Sequence, residues 1–362
     1  MLISRTPFRI SFFGGGTDYP SWYRQHGGAV LATTIDKYCY LTCRYLPPFF
    51  EHRIRVVYSR IENCQTIDDI QHPSVRAILK HLNLHRGLEI HHDGDLPARS
   101  GIGSSSAFTV GLLHALYCLQ GKMPSKHQLA QESIHIEQSV LEETVGSQDQ
   151  MCAAYGGFNH ITFMPNGEIS IRPVTVSRDR LCQLNNHLML FYTGIVRTAS
   201  QIASSYVSDL SKKRRQLGIM KELVDDGLNI LVSEQDLNGF GELLHEAWQI
   251  KRGLGAKISN PLVDELYSSA REAGAVGGKL IGAGGGGFLL LFVPPERQAD
   301  VRDRFKKLIH VPFKFEFSGS QIIFYDCQQP DYRDQDKIRT TQSIQSFQEF
   351  VQATSDQSGN GS

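Results

Sequence analysis

Near the start of the chain, LISRTPFRISFF alternates apolar and polar side chains with a period of two and then breaks at Gly14-Gly15-Gly16. That is the spacing of a strand followed by a turn. AVLATTIDKYCYLTCRYL and HRIRVVYS are rich in β-branched and aromatic residues and predict two more strands. A helical stretch from about Ser74 to Leu84 precedes GLEIHHDGDLP, which predicts a strand running into a loop. The spacing then turns helical from about Ser105 to Leu119 and again from about Lys126 to Leu141. GFNHITFMPNGEISIRPV predicts a hairpin around Asn166-Gly167.

A strand, HLMLFYTG, opens what the pattern marks as a second unit. Its expected helices run from Ser200 to about Leu231, from Leu237 to Leu254 and from Pro261 to Ala273. The strand GFLLLFVP, a helix from about Glu296 to Leu308 and a last strand, SQIIFYD, complete it. Strands followed by groups of helices, without regular β-α-β alternation, predict an α+β class. The expected organisation is an N-terminal domain over 1–182, a C-terminal domain over 183–330 and a polar tail over 331–362. In the tail, Ile344, Phe347 and Val351 keep helical spacing for a short docking helix, and the last ten residues have the composition of disorder.

Composition adjusts this picture only slightly. The 362 residues carry 37 Lys plus Arg against 37 Asp plus Glu, so no global charge draws the chain to nucleic acid or to an anionic membrane. Lys212-Lys213-Arg214-Arg215 lacks interleaved aromatics and fits a solvated helix face. Seven cysteines without a C-x-x-C pair point to reduced thiols in a cytoplasmic setting. No run approaches the ~18 apolar residues of a membrane span, and the arginines of MLISRTPFRIS interrupt any secretory apolar run. Small-molecule partners are expected, with monomer and homodimer both open.

Two glycine-rich stretches are candidates for phosphate binding. Gly282 to Gly287 satisfies G-x-G-x-x-G, but FLLLFV comes after it, a strand and not the helix a dinucleotide site requires. GIGSSSAFTVGLLHAL, from Gly101 to Leu116, has the better context: a tight turn leads straight into a helix. Free amides and the helix dipole at such a start favour an anion. The same residues also suit a serine N-cap on a packed helix, and the loop alone leaves both readings open. Glu137 and Asp149, twelve positions apart, shift the balance. A serine hydroxyl with one carboxylate suits Mg²⁺, and a second carboxylate is left to accept or orient the proton of an attacking hydroxyl. His91 and His92 fall on opposite faces of a strand and are read as non-ligands.

At these residues a family resemblance appears. DLPARSGIGSSSA resembles the central phosphate-binding motif of the GHMP kinases, GGKLIGAGGGGFLLLF their C-terminal glycine motif, and RTPFRISFFGGGTDYPSW their N-terminal substrate motif. The three occur in family order. The resemblance implies a two-domain fold, with a ribosomal protein S5 domain 2-like N-terminal domain and a ferredoxin-like C-terminal domain. It implies an ATP-dependent kinase whose ATP-binding loop comprises Gly101, Gly103, Ser104, Ser105 and Ser106. Mg²⁺ is then expected on Ser105 and Glu137, with Asp149 and Arg9 catalytic. Asp18 matches the family's sugar-binding aspartate, and Gly15, Gly16 and Thr17 precede it; Gly14-Gly15-Gly16 replaces the family's more usual Gly-Glu-His.

Within the family, FGGGTDYP together with GGKLIGAGGGGF is most similar to kinases that phosphorylate the anomeric hydroxyl of a heptose 7-phosphate. L-fucokinases are near relatives, and a catalytically silent sugar and ATP sensor is the expectation from a different class. A 7-phosphate needs a cationic pocket, for which Arg197, Lys251, Arg252, Lys257 and Lys279 are the candidates. Gly284 and Gly285 join the expected substrate-binding set.

Overall fold

The computed structural model describes residues 1–195, 213–234, 236–328, 330 and 332–342. Arg197, Lys212, the expected helix before residue 213 and the apolar trio of the tail lie outside the described residues.

The first unit is built on two long strands. β1 (Leu2–Phe13) and β2 (Gly28–Tyr45) pair antiparallel, with the short helix α1 (Pro20–His26) between them. β3 (Ile54–Val57), β4 (Ile61–Cys64), α2 (Pro73–His81) and β5 (Leu88–Gly94) come next, and β5 pairs with β2 on one side and β3 on the other. Beyond them lie α3 (Ser104–Leu119), α4 (Lys126–His135), a π turn (Ile136–Val140) and α5 (Gln148–Tyr155). The predicted hairpin at Asn166-Gly167 is β6 (Phe158–Phe163) with β7 (Ile169–Pro173).

The second unit starts at α6 (Arg178–His187) and β8 (Leu188–Tyr192). Helices α7 (Arg214–Val232), α8 (Asn238–Arg252) and α9 (Pro261–Glu272) lead to β9 (Gly277–Leu280) and β10 (Phe288–Phe292). α10 (Gln298–Arg304) and β11 (Ile309–His310) close a four-stranded sheet of order β11-β8-β10-β9. The expected boundary at 330 needs correcting here. β12 (Phe315–Glu316) pairs with β2, and β13 (Gln321–Tyr325) pairs with β1, so the chain returns to the first sheet before the tail helix α11 (Arg333–Gln342). An edge position beside β1 was open, and local spacing carries no information about such long-range pairing.

The α+β class holds: the described residues form one nine-stranded sheet and one four-stranded sheet, with helices grouped between their strands. Where the units meet, aromatic rings fill the core. Phe12 stacks on Phe158 at 5.4 Å, and Phe240 of α8 meets the rings of Phe12 and Phe13 edge-on at 5.4 and 5.0 Å. α3 is apolar on nearly all sides and is buried accordingly, wedged under β1 and β2. That burial fixes the direction in which its first turn points.

Candidate active site

The first turn of α3 opens on a cavity of about 230 Å³ between the two units. Ser125, Ser177 and Asn260 cap α4, α6 and α9 with side-chain hydrogen bonds, whereas α3 begins at Gly103 with no side-chain cap. Gly103 sits at φ +74°, a conformation that favours glycine, and a Cβ there would press on Arg9 and Asp149 at 3.3 Å. The competing reading, a self-capped serine helix, is therefore not what forms. The uncapped amides and the positive end of the dipole face a polar cavity.

Arg9 and Asp149 form the centre of its floor. Arg9 comes from β1 and Asp149 from the first turn of α5; the guanidinium donates Nε to Oδ1 at 2.8 Å and Nη2 to Oδ2 at 2.7 Å. Its remaining Nη1 donates to the carbonyl of Gly101 at 2.6 Å, which ties the pair to the loop. Burial alone would lower the Arg9 pKa; the Asp149 charge and hydrogen bonds outweigh it and hold the group above its ordinary value. Each Asp149 oxygen keeps one lone-pair site beyond the fork.

Asp18 is buried beside them. Its Oδ1 accepts the Gly16 amide at 3.0 Å, and burial, then the Asp149 charge, push its pKa up to about 6. Gly15, Gly16 and Asp18 all line the cavity as expected. Thr17 does not: it is fully buried, its hydroxyl bound to the carbonyls of Gly14 and Ala29, and it holds the turn instead of touching substrate.

The three serines of the loop stand differently toward Glu137. Ser106 donates to Glu137 Oε2 at 2.8 Å, while Ser105, the expected metal ligand, is exposed on the lining of the cavity. Successive residues of a helix turn by about 100°, so only one of three consecutive serines can face inward. The Gln150 amide donates to the same Glu137 oxygen, and Oε1 has no partner. The π turn at Ile136–Val140 swings Glu137 inward, and burial raises its pKa to about 7. A carboxylate oxygen left unpartnered beside a hydroxyl is the hard-oxygen donor set that Mg²⁺ takes.

Two buried lysines complete the wall. Lys251, on the last turn of α8, donates to the carbonyls of Leu280 (3.2 Å) and Gly282. Lys279, on β9, donates to the Phe12 carbonyl at 2.6 Å. Both line the cavity. Burial, then the Arg9 charge, lowers the Lys251 pKa to about 7, and burial, Lys251 and Arg9 lower that of Lys279 well below the usual lysine range. An ammonium has three donors, so the pair retains N–H groups for an anion. Arg252 pairs with Asp264 at 2.9 Å, and neither it nor Lys257 lines the cavity.

Gly284 and Gly285 are likewise outside it. The Gly285 amide donates to the Ile258 carbonyl at 2.8 Å and Gly284 packs on the same residue; of this stretch only Gly282 and Ala283 reach the cavity. His91 hydrogen-bonds Glu89 at 3.0 Å and the His92 ring meets Phe108 at 5.1 Å. Residues that the motifs did not single out also line the cavity, among them Ser11, Tyr19, Arg99 and Glu143. For Ser11 a signal existed, since it alternates with Arg9 on one face of a strand.

Known proteins share this architecture. Residues 71–157 match the family model described as GHMP kinases N terminal domain, and residues 228–310 match the one described as GHMP kinases C terminal. The chain is 26% identical over 315 residues to the D-glycero-alpha-D-manno-heptose 7-phosphate kinase of Campylobacter jejuni, covering 84% of this chain and 93% of that one. It is 26% identical over 342 residues to the L-fucokinase/L-fucose-1-P guanylyltransferase of Bacteroides fragilis, covering 83% of this chain and 35% of that one. The crystal structure of a D-glycero-D-manno-heptose 1-phosphate kinase from Bacteroides thetaiotaomicron superposes with a TM-score of 0.74 at 23% identity, over 90% of this chain and 100% of that one.

Proposed function

The chain belongs to the GHMP kinases, and from that premise we propose that it transfers the γ-phosphoryl of ATP to the anomeric hydroxyl of D-glycero-D-manno-heptose 7-phosphate, giving the 1,7-bisphosphate. The observation that carries this reading is the single cavity in which the uncapped start of α3, the Arg9–Asp149 fork and two buried lysines converge.

The loop Gly101–Ser106 holds the triphosphate through amides and hydroxyls. Mg²⁺, held by Ser106 and Glu137, would neutralise part of the triphosphate charge. Asp149 accepts or orients the proton of the attacking hydroxyl, and Arg9 fixes that carboxylate and stabilises developing negative charge. An anomeric hydroxyl is more acidic than an ordinary alcohol, so a carboxylate already bound to a guanidinium suffices. Asp18 accepts from sugar hydroxyls, and Lys251 with Lys279 offers N–H donors to the sugar's distal phosphate. Catalysis of this kind is mostly positioning and electrostatics.

The Bacteroides fragilis relative supplies the runner-up, an L-fucose 1-kinase. The test is a turnover panel of heptose 7-phosphate, heptose 1-phosphate, the unphosphorylated heptose, L-fucose and D-galactose with ATP and Mg²⁺. The 7-phosphate is expected to give the highest kcat/KM, and the free heptose to lose at least about tenfold, the scale of one charge-assisted hydrogen bond. L-fucose outperforming it would overturn the substrate assignment, and absence of any turnover would leave the sensor.

A further inference from the structure

Ser11 lies on β1, 5% exposed, and lines the cavity. Its Oγ is buried and has no hydrogen-bond partner. Around Ser11, polar groups are matched: Arg9 to Asp149, Lys279 to the Phe12 carbonyl, Asp18 to the Gly16 amide. Buried hydroxyls are nearly always hydrogen-bonded, and one that is not calls for an explanation. Around Gly15 the space is open as well, since a Cβ added there would meet only Ser11 Oγ, at 3.9 Å.

Residues two apart on a strand share a face and stand about 6.7 Å apart. Ser11 therefore faces the cavity on the same side as Arg9, displaced along β1 by about the width of a pyranose ring. A hydroxyl donates one hydrogen bond and accepts two, which matches a neutral sugar hydroxyl better than a phosphate, for which the lysines are placed. We infer that Ser11 is a specificity residue that hydrogen-bonds a ring hydroxyl of the sugar, at C2 or C3, next to the reacting anomeric oxygen. This rests on the reading of the cavity as a sugar kinase site. Substrate binding supplies the partner that the fold leaves out.

Ser11→Ala separates this role from a structural one. Removing an unpartnered buried hydroxyl is expected to leave the melting temperature unchanged or raise it, while the KM for heptose 7-phosphate rises about 3- to 10-fold and the KM for ATP stays constant. The 2-deoxy and 3-deoxy heptose 7-phosphates complete a cycle. One of them should bind wild type as weakly as the parent sugar binds Ser11→Ala, and lose nothing further in that variant. The inference is overturned if the sugar KM does not move. It is also overturned if melting temperature falls with both KM values rising together, or if both deoxy sugars weaken in the variant as much as the parent. If wild type prefers L-fucose or D-galactose, the heptose assignment fails and the same cycle on that sugar judges Ser11. A wild-type chain that phosphorylates no sugar overturns both.

Discussion

The two glycine-rich stretches, Gly101 to Ser106 and Gly282 to Gly287, look alike as sequence and do opposite things. The first opens: it ends in an uncapped helix start, and its hydroxyls and amides face a cavity. The second closes: the Gly287 amide donates to the Ile195 carbonyl, Gly285 to Ile258, and a Cβ on Gly287 would lie 2.1 Å from the Ser100 carbonyl oxygen. Gly103 and the serines of the first border the cavity, whereas the glycines of the second admit the protein's own backbone, as Gly101 also does against the Ile281 carbonyl. The second stretch reaches the cavity only at Gly282 and Ala283, and the Gly282 carbonyl helps hold the Lys251 ammonium there. Glycine content alone therefore signals a close approach, and the element C-terminal to the glycines tells the two apart: an open polar face where a helix starts, packed backbone where a buried strand starts.

The largest effect should come from the carboxylate that faces the open stretch. Asp149→Asn is expected to lower kcat by roughly 10²–10⁴-fold, the scale of general-base catalysis, with KM for ATP held. Steady-state kinetics alongside a thermal melt will check it, because the variant also leaves buried Arg9 without its anion. Near-full activity would remove Asp149 from the chemistry and reduce the open loop to a binding device.

Next comes the closed stretch. Gly287 has φ +97° and touches the Ser100 carbonyl, so Gly287→Ala is expected to cost about 2–4 kcal/mol of stability through backbone strain and overpacking. Denaturant melts will measure it. Gly287 does not line the cavity, so the folded fraction should keep its KM values. A stable variant with a raised KM would mean that the second stretch also touches ligand, and the contrast would collapse.

Much of this was legible. Period-two alternation located β1, β-branched and aromatic content located β2, helical spacing located α3, α8 and α9, and Asn-Gly located the β6–β7 hairpin. Short or glycine-rich elements were not: GGKL forms β9, and β11 and β12 are two residues each, held by their neighbours and not by propensity. α5, eight residues of QDQMCAAY, carries no strong apolar spacing, yet it positions Asp149. In the site, residue types and order survived better than rotation. Three adjacent serines are equivalent as sequence, and only the helix phase selects Ser106 for Glu137. Thr17, Gly284 and Gly285 carried motif identity but face inward, because a motif also contains the residues that hold its turn. Arg9 and Asp149 lie 140 positions apart, so spacing could not join them, and the family resemblance did.

The smallest expected effect tests the link between the two stretches, Lys251. Its pKa is lowered to about 7 by burial, whereas an unfolded lysine titrates at ~10.4. Between those values the unfolded chain binds the extra proton, so Lys251 makes stability rise with pH across this window, by up to about 1.4 kcal/mol per pH unit. Below pH 7 both states are protonated and the dependence stops. Lys279, also held well below the usual lysine range by burial, acts with the same sign. Lys251→Met should flatten the rise between pH 7 and 10 in melts of the ligand-free protein. A bound phosphate favours the ammonium, so binding above pH 7 takes up a proton, and KM for heptose 7-phosphate should climb up to about tenfold per pH unit there. The unphosphorylated heptose offers the lysine no anion and should show no such climb. Equal pH profiles for the two sugars would show that the carbonyls of Leu280 and Gly282 hold Lys251 for the fold alone, and the distal phosphate would then belong to another part of the cavity.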